Sequence, residues 1–293
     1  MSGTDWRKAF SSAGMARKLI VLNLAVFLVL NAIIAGLRLS GNDEFLREHG
    51  SDLYMGATAS PETLLVRPWS VITYMFTHTD FWHIAGNMLF LWVFGGLFTG
   101  FLGDRKLLSM YLAGGLAGLL IFILAFNIFP ALNASARVVG ASAAVMAIVA
   151  AIATYMPGYR LNLLIFGPIQ LQYIALFYVI YDFASIQYLD NTGGHIGHLG
   201  GALYGFIWGM QMRKGRDIGL WLDRLTTGIA SFFGQGNRRM KVVHKRPVSD
   251  EEYNASRASR QKRIDEILDK ISKGGYESLS REEKDFLIKH SKD

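Results

Sequence analysis

Six segments of the chain run for 19 to 23 residues without an Asp, Glu, Lys or Arg: 19–37, 81–103, 107–129, 138–157, 161–181 and 191–212. A helical residue rises 1.5 Å, so about 20 of them match the roughly 30 Å hydrocarbon core of a bilayer. The pattern predicts six transmembrane helices. The first is expected to be retained, because its apolar run is longer than a typical signal-peptide core. Pro157, Gly158 and the pair Gly193-Gly194 fall in the later connections, where helix breakers belong. No internal repeat or low-complexity tract is evident.

Composition points the same way. Of 293 residues, 51% are hydrophobic and only 18% charged, less charge than an ordinary soluble domain carries. There is no Cys, which excludes disulfides and thiolate chemistry. The expected fold class is an all-α membrane protein: a six-transmembrane-helix bundle with a short cytoplasmic C-terminal helical tail. The expected divisions are a cytoplasmic N-terminal segment (1–18), the six-helix membrane domain (19–212), a basic juxtamembrane segment (213–246) and a helical tail (247–293).

The net charge of +7 is uneven, with nine Lys and Arg against two Asp in 213–246. That stretch fits the inner face of a membrane better than nucleic acid. With the N-terminus inside, the inner segments hold sixteen Lys and Arg, among them Arg7, Lys8, Arg105, Lys106 and Arg160. The outer ones hold four, Arg38, Arg47, Arg67 and Arg137. This asymmetry places both termini in the cytoplasm of a cell, and the expected location is a bacterial inner (cell) membrane. Spans two, four and six then run from outside to inside. His83, Asn87, Ser142 and His198 fall third to eighth in those spans, roughly 3–12 Å below their outer ends.

Polar side chains inside hydrocarbon are costly unless partnered, so polar groups at one depth on three helices invite a functional explanation. Ser142 is flanked by Gly140, Ala141, Ala143 and Ala144, which leave its hydroxyl uncrowded, and a helix starting there aims N–H groups at an adjacent oxyanion. From Ser142 to Pro157 a helix is only about 24 Å long, so its outer end should be submerged. A plain packing serine is the alternative. A serine that attacks an amide needs a base, and span six offers His195 and His198. Gly201 and Gly205 follow His198 at i+3 and i+7, a small-residue ridge that lets two helix backbones approach closely. His83 and Asn87, spaced i and i+4, share one face of span two; they either donate to an oxyanion or simply bond between helices. His78, His83, His195 and His198 could form a metal cluster, but without H-E-x-x-H or Cys no metal is expected. Asp182, directly after the fifth span, is expected at a membrane interface.

The set Gly140-Ala141-Ser142 opening span four, His83-Ile84-Ala85-Gly86-Asn87 in span two, and His198-Leu199-Gly200-Gly201 with Gly205 in span six resembles the rhomboid intramembrane serine proteases. The likeness covers roughly residues 15–212 and keeps the family's motif order. It implies Ser142 as nucleophile and His198 as general base, a dyad with no acid required. It further implies an oxyanion hole of His83, Asn87 and the Ser142 N–H, and cleavage of transmembrane protein substrates near their outer ends without a cofactor. Four positions depart from the family's usual pattern. Ala143 follows the serine in place of Gly. Met146 stands where an aromatic often stacks on the catalytic His, so the positioning of the base is expected to differ. Trp69-Ser70 replaces Trp-Arg, and Thr99 replaces an acid.

Beyond residue 212, Leu220, Trp221, Leu225, Phe232 and Phe233 are interspersed among basic residues, suited to an anionic leaflet or to a solvated linker. Ile264, Ile267, Leu268 and Ile271 mark an amphipathic helix ending at Gly274-Gly275. Ser280 with Glu283 is a capping-box signature before Phe286-Leu287. The tail is expected to dock an unknown partner or to regulate. The function expected is intramembrane serine endopeptidase, with a catalytically inactive rhomboid-like protein that binds membrane clients as the alternative. A transporter or channel would call for paired broken helices or repeats.

Overall fold

A computed structural model describes residues 14–42, 44–45, 52, 54–132, 136–163, 167–188, 191–232 and 250–290. The expectations that concern Arg7, Lys8 and Arg47, the rest of 1–13, and 233–249 with Phe233 lie outside the described residues. The chain divides near residue 235 into two compact units, each described by itself.

The first unit opens with α1 (Met15–Leu39), followed by β1 (Ala57–Thr58), α2 (Pro61–Val66) and α3 (Ser70–Thr73). Then come α4 (Phe81–Leu102), α5 (Asp104–Ile128), β2 (Arg137–Val138) and α6 (Ser142–Tyr155). It closes with β3 (Arg160–Leu163), β4 (Gly167–Gln170), α7 (Leu171–Ser185), α8 (Thr192–Arg213) and α9 (Leu220–Phe232). Each of the six apolar segments therefore contains a helix. Three of them, α1, α4 and α5, are long and apolar enough to cross a membrane. Large apolar side chains such as Leu28, Trp92, Leu120, Phe177 and Phe183 are exposed on the outward faces, a surface suited to lipid and not to water.

Two segments fold differently from the charge-free pattern. The run 161–181 was expected to be one span, yet its first part forms the antiparallel hairpin of β3 and β4, and α7 begins only at Leu171. Pro168 explains the delay: it lacks an N–H and its ring clashes with a preceding helical turn. Next to it, Gly167 turns with φ +70°. Within the run 138–157, α6 begins at Ser142, where the helix was expected to start, because Arg137 and Val138 pair with Thr58 and Ala57 of β1. At 14 residues α6 is about 21 Å long, well short of a bilayer.

That short helix lies at the centre, and every residue from Ala143 to Ala153 is buried. A helix that is apolar all round needs neighbours on every side. Some buried polar groups tie the other helices together. Asn23 on α1 donates to Tyr111 Oη at 3.2 Å and to its own Leu19 carbonyl at 2.8 Å, while Tyr111 donates to the Met75 carbonyl at 2.6 Å. At the opposite end from Ser142, Lys106 pairs with Asp217, Trp208 Nε1 donates to Asp217 at 3.1 Å, and Ser109 bonds Asp223. These contacts hold α9 to the helices of the first unit.

The second unit contains α10 (Asp250–Gly274) and α11 (Arg281–His290). Gly275, at φ +73°, ends α10. Ser280 and Glu283 form the capping box: the Ser280 N–H donates to Glu283 Oε2 at 2.8 Å and the Glu283 N–H to Ser280 Oγ at 3.3 Å. Ile267 and Leu279 are buried, whereas Leu268 is half exposed.

Candidate active site

Close packing of α6 on α8 brings the motifs together. A Cβ added to Gly201 would overlap the carbonyl oxygen of Ala143, and one on Gly205 would overlap that of Ala147. Gly209 meets the Ala151 carbonyl in the same way. The contacts advance four residues at a time on both helices, so α6 and α8 run parallel with their N-terminal ends side by side. Ser142 is the first residue of α6, one before Ala143, and His198 lies three before Gly201. The two therefore belong to the same end of the pair.

The loop entering α6 is fixed by its backbone. Gly140 has φ +113°, a region that disfavours side chains, and its N–H donates to the Tyr74 carbonyl at 2.8 Å. A Cβ there would strike the His83 ring. The next residue, Ala141, donates its N–H to Nε2 of the buried His78 at 3.2 Å. A nitrogen that accepts is unprotonated, so His78 is neutral with its proton on Nδ1. Burial is the main cause that lowers its pKa to about 4, with His83 adding to it. Upstream, Asp52 bonds the Gly56 N–H at 2.9 Å and Arg137 at 3.1 Å, tying this loop to the first one.

On α4, Asp80 caps the helix by accepting from the His83 N–H at 2.8 Å. Asn87 Nδ2 donates to the His83 carbonyl at 2.9 Å, which leaves its second N–H available. Ser142, His198, His83 and Asn87 all line one cavity of about 500 Å³. Met146, Tyr178, Asp182 and His195 line it too. A larger groove of about 610 Å³ between α6, α7 and α8 is apolar, and no serine or histidine lines it.

Asp182 makes contacts that the sequence did not reveal. Expected at an interface, it is buried within α7, its side chain 4% exposed. Its Oδ1 lies at hydrogen-bond distance from both His195 Nδ1, at 2.8 Å, and His198 Nδ1, at 2.9 Å. Position 182 lies on the face of α7 turned toward α8. These three side chains present ligand atoms within 4.8 Å of one another, a spacing that could also take a divalent cation. His78, grouped by sequence with the other histidines, serves the Ala141 N–H instead. Its ring lies edge-on to His83, 5.1 Å between centroids.

Comparison with known proteins identifies the family. The family model described as Rhomboid domain matches residues 66–215, just over half of the chain. A second model, a family of unknown function (DUF6576), matches residues 249–293. Rhomboid protein 1, mitochondrial, of Saccharomyces cerevisiae is 29% identical over 148 residues, 50% of this chain and 42% of that protein. RHOMBOID-like protein 12, mitochondrial, of Arabidopsis thaliana is 30% identical, covering 50% and 47%. Presenilin-associated rhomboid-like protein, mitochondrial, of Homo sapiens is 31% identical, covering 51% and 38%. The chain spans less than half the length of these relatives. All three are mitochondrial proteins, which points to a mitochondrial membrane and corrects the expectation of a bacterial inner membrane with cytoplasmic termini. Charge asymmetry distinguishes the two faces of a membrane; it does not identify the membrane.

Proposed function

The chain belongs to the rhomboid family, and on that premise we propose that it is an intramembrane serine endopeptidase. In this reading it is a six-transmembrane-helix bundle that hydrolyses peptide bonds in or near the transmembrane segments of membrane protein substrates. The observation that carries the reading is the shared cavity in which Ser142, His198, His83 and Asn87, drawn from three helices, meet.

Ser142 is the nucleophile and His198 its base. As Ser142 Oγ bonds to the peptide carbonyl carbon, its proton passes to His198 Nε2 and the carbonyl π pair moves onto oxygen. The free N–H of Asn87, the His83 ring and the Ser142 backbone N–H donate to that oxyanion. Collapse of the tetrahedral species breaks the C–N bond, and the departing amine takes the proton from His198. Water, deprotonated by the same base, then hydrolyses the acyl ester and regenerates Ser142. The steps balance without a cofactor. Gly140, Gly201 and Gly205 act by permitting the close approach. Other than its substrates, the partners are the lipid bilayer and, for the tail, one not identified.

Incubating the full chain in detergent with a fluorophosphonate tests the reading: Ser142 should carry the adduct, and Ser142→Ala should remain unlabelled.

A further inference from the structure

The family pattern holds the catalytic imidazole by stacking an aromatic four residues after the serine. Here that position is Met146, which is buried against Ala150 and Ala202. The ring partner recorded for His198 is His195, 5.9 Å away and edge-on. The task of fixing the imidazole therefore falls to another group.

We propose that Asp182 is a positioning residue for the base, turning the dyad of this chain into a Ser142–His198–Asp182 relay of contacts. The proposal rests on the protease reading above. An ionised carboxylate only accepts, so each imidazole bonded to Oδ1 must offer a protonated Nδ1. For His198 this selects one tautomer. Nδ1 carries the proton, and Nε2, on the other side of the ring, keeps the lone pair that takes the Ser142 proton. When that proton arrives, the imidazolium sits 2.9 Å from a buried negative charge, an arrangement that favours the charged intermediate where little water screens it. No proton needs to move onto Asp182. Its second oxygen, Oδ2, is buried with no hydrogen-bond partner, so the carboxylate's bonding is directed through Oδ1 to the two histidines.

His195 completes the clamp. At 2.8 Å it occupies the same oxygen, and its ring packs on Tyr181 with centroids 6.0 Å apart. Two histidines one turn apart on α8 thus share one carboxylate oxygen of α7.

The test uses the full chain in proteoliposomes with a transmembrane model substrate. Asp182→Asn should lower kcat on the order of 10²- to 10⁴-fold with KM changed less than roughly threefold, because the side chain keeps its size while the tautomer is lost. Asp182→Glu, which keeps a carboxylate, should recover part of that loss. A folded Asp182→Asn enzyme with wild-type kcat overturns the proposal, as does a change confined to KM. If the asparagine variant does not fold, nitrogen NMR of His198 in the wild-type protein decides: Nδ1 protonated and Nε2 bare supports the role, and the reverse tautomer overturns it. A wild-type chain that neither cleaves nor labels at Ser142 defeats the protease reading itself, a different result from active wild type beside an equally active Asp182→Asn.

Discussion

The backbone of Gly201 lies against the carbonyl of Ala143 so closely that even one methyl group between them has no room. This contact sets the spacing of α6 and α8, and with it the reach from His198 to Ser142. Gly201→Ala should therefore lower turnover at least tenfold and destabilise the protein by about 1–3 kcal/mol, the usual cost of overpacking. Gly36→Ala, at a glycine with open space around it, is the control for melting temperature and rate. Equal behaviour of the two variants would remove the close approach from the account.

Gly140→Ala meets two obstacles at once. The backbone at φ +113° disfavours a side chain, and the new methyl would displace His83. Backbone strain alone costs of order 1–3 kcal/mol. Turnover should fall further than thermal stability predicts, because the displaced ring belongs to the proposed oxyanion hole. Melting temperature and kcat measured together on the same preparation check it.

His78 makes stability depend on pH. Its pKa is lowered from the usual 6.5 to about 4, chiefly by burial. Between those values the unfolded chain binds a proton that the folded one does not, so stability is full above about 6.5 and is lost as pH falls toward 4. The loss is on the order of 3 kcal/mol for this one group. His78→Gln, whose amide oxygen can still accept from Ala141, should flatten the decline across that window in thermal melts. An unchanged slope would assign the decline to other groups.

Asn87→Ala should leave partial activity. One donor is lost, costing roughly 10²-fold in kcat, while His83 and the Ser142 N–H continue to serve. A single-turnover measurement separates this from a binding defect.

Much of this site was legible in the sequence because each motif residue signals locally. Gly201 and Gly205 mark a close helix face by size alone, and Ser142 among Gly and Ala marks an uncrowded hydroxyl. The Ser280–Glu283 pair follows directly from capping chemistry. What escaped was set by chain direction between elements. Counting charges cannot separate a hairpin from a helix, so 161–181 read as one span. Pro168 was the available signal, since a proline inside an apolar run ends or delays a helix. The bonds of Asp182 to His195 and His198 escaped too, because they join two separate helices. The role of His78 could not be read at all, because its partner is a backbone N–H sixty-three residues away.

The most direct measurement is cleavage of a transmembrane substrate in proteoliposomes by wild type, Ser142→Ala, His198→Ala and His195→Ala, each shown to be folded. Wild type should cleave, and the Ser142 and His198 variants should fall to background, since a nucleophile and its base act as one unit. His195→Ala should retain measurable turnover, because Asp182 still holds His198. Turnover by Ser142→Ala equal to wild type, or a His198 variant that cleaves while the His195 variant does not, would contradict the account.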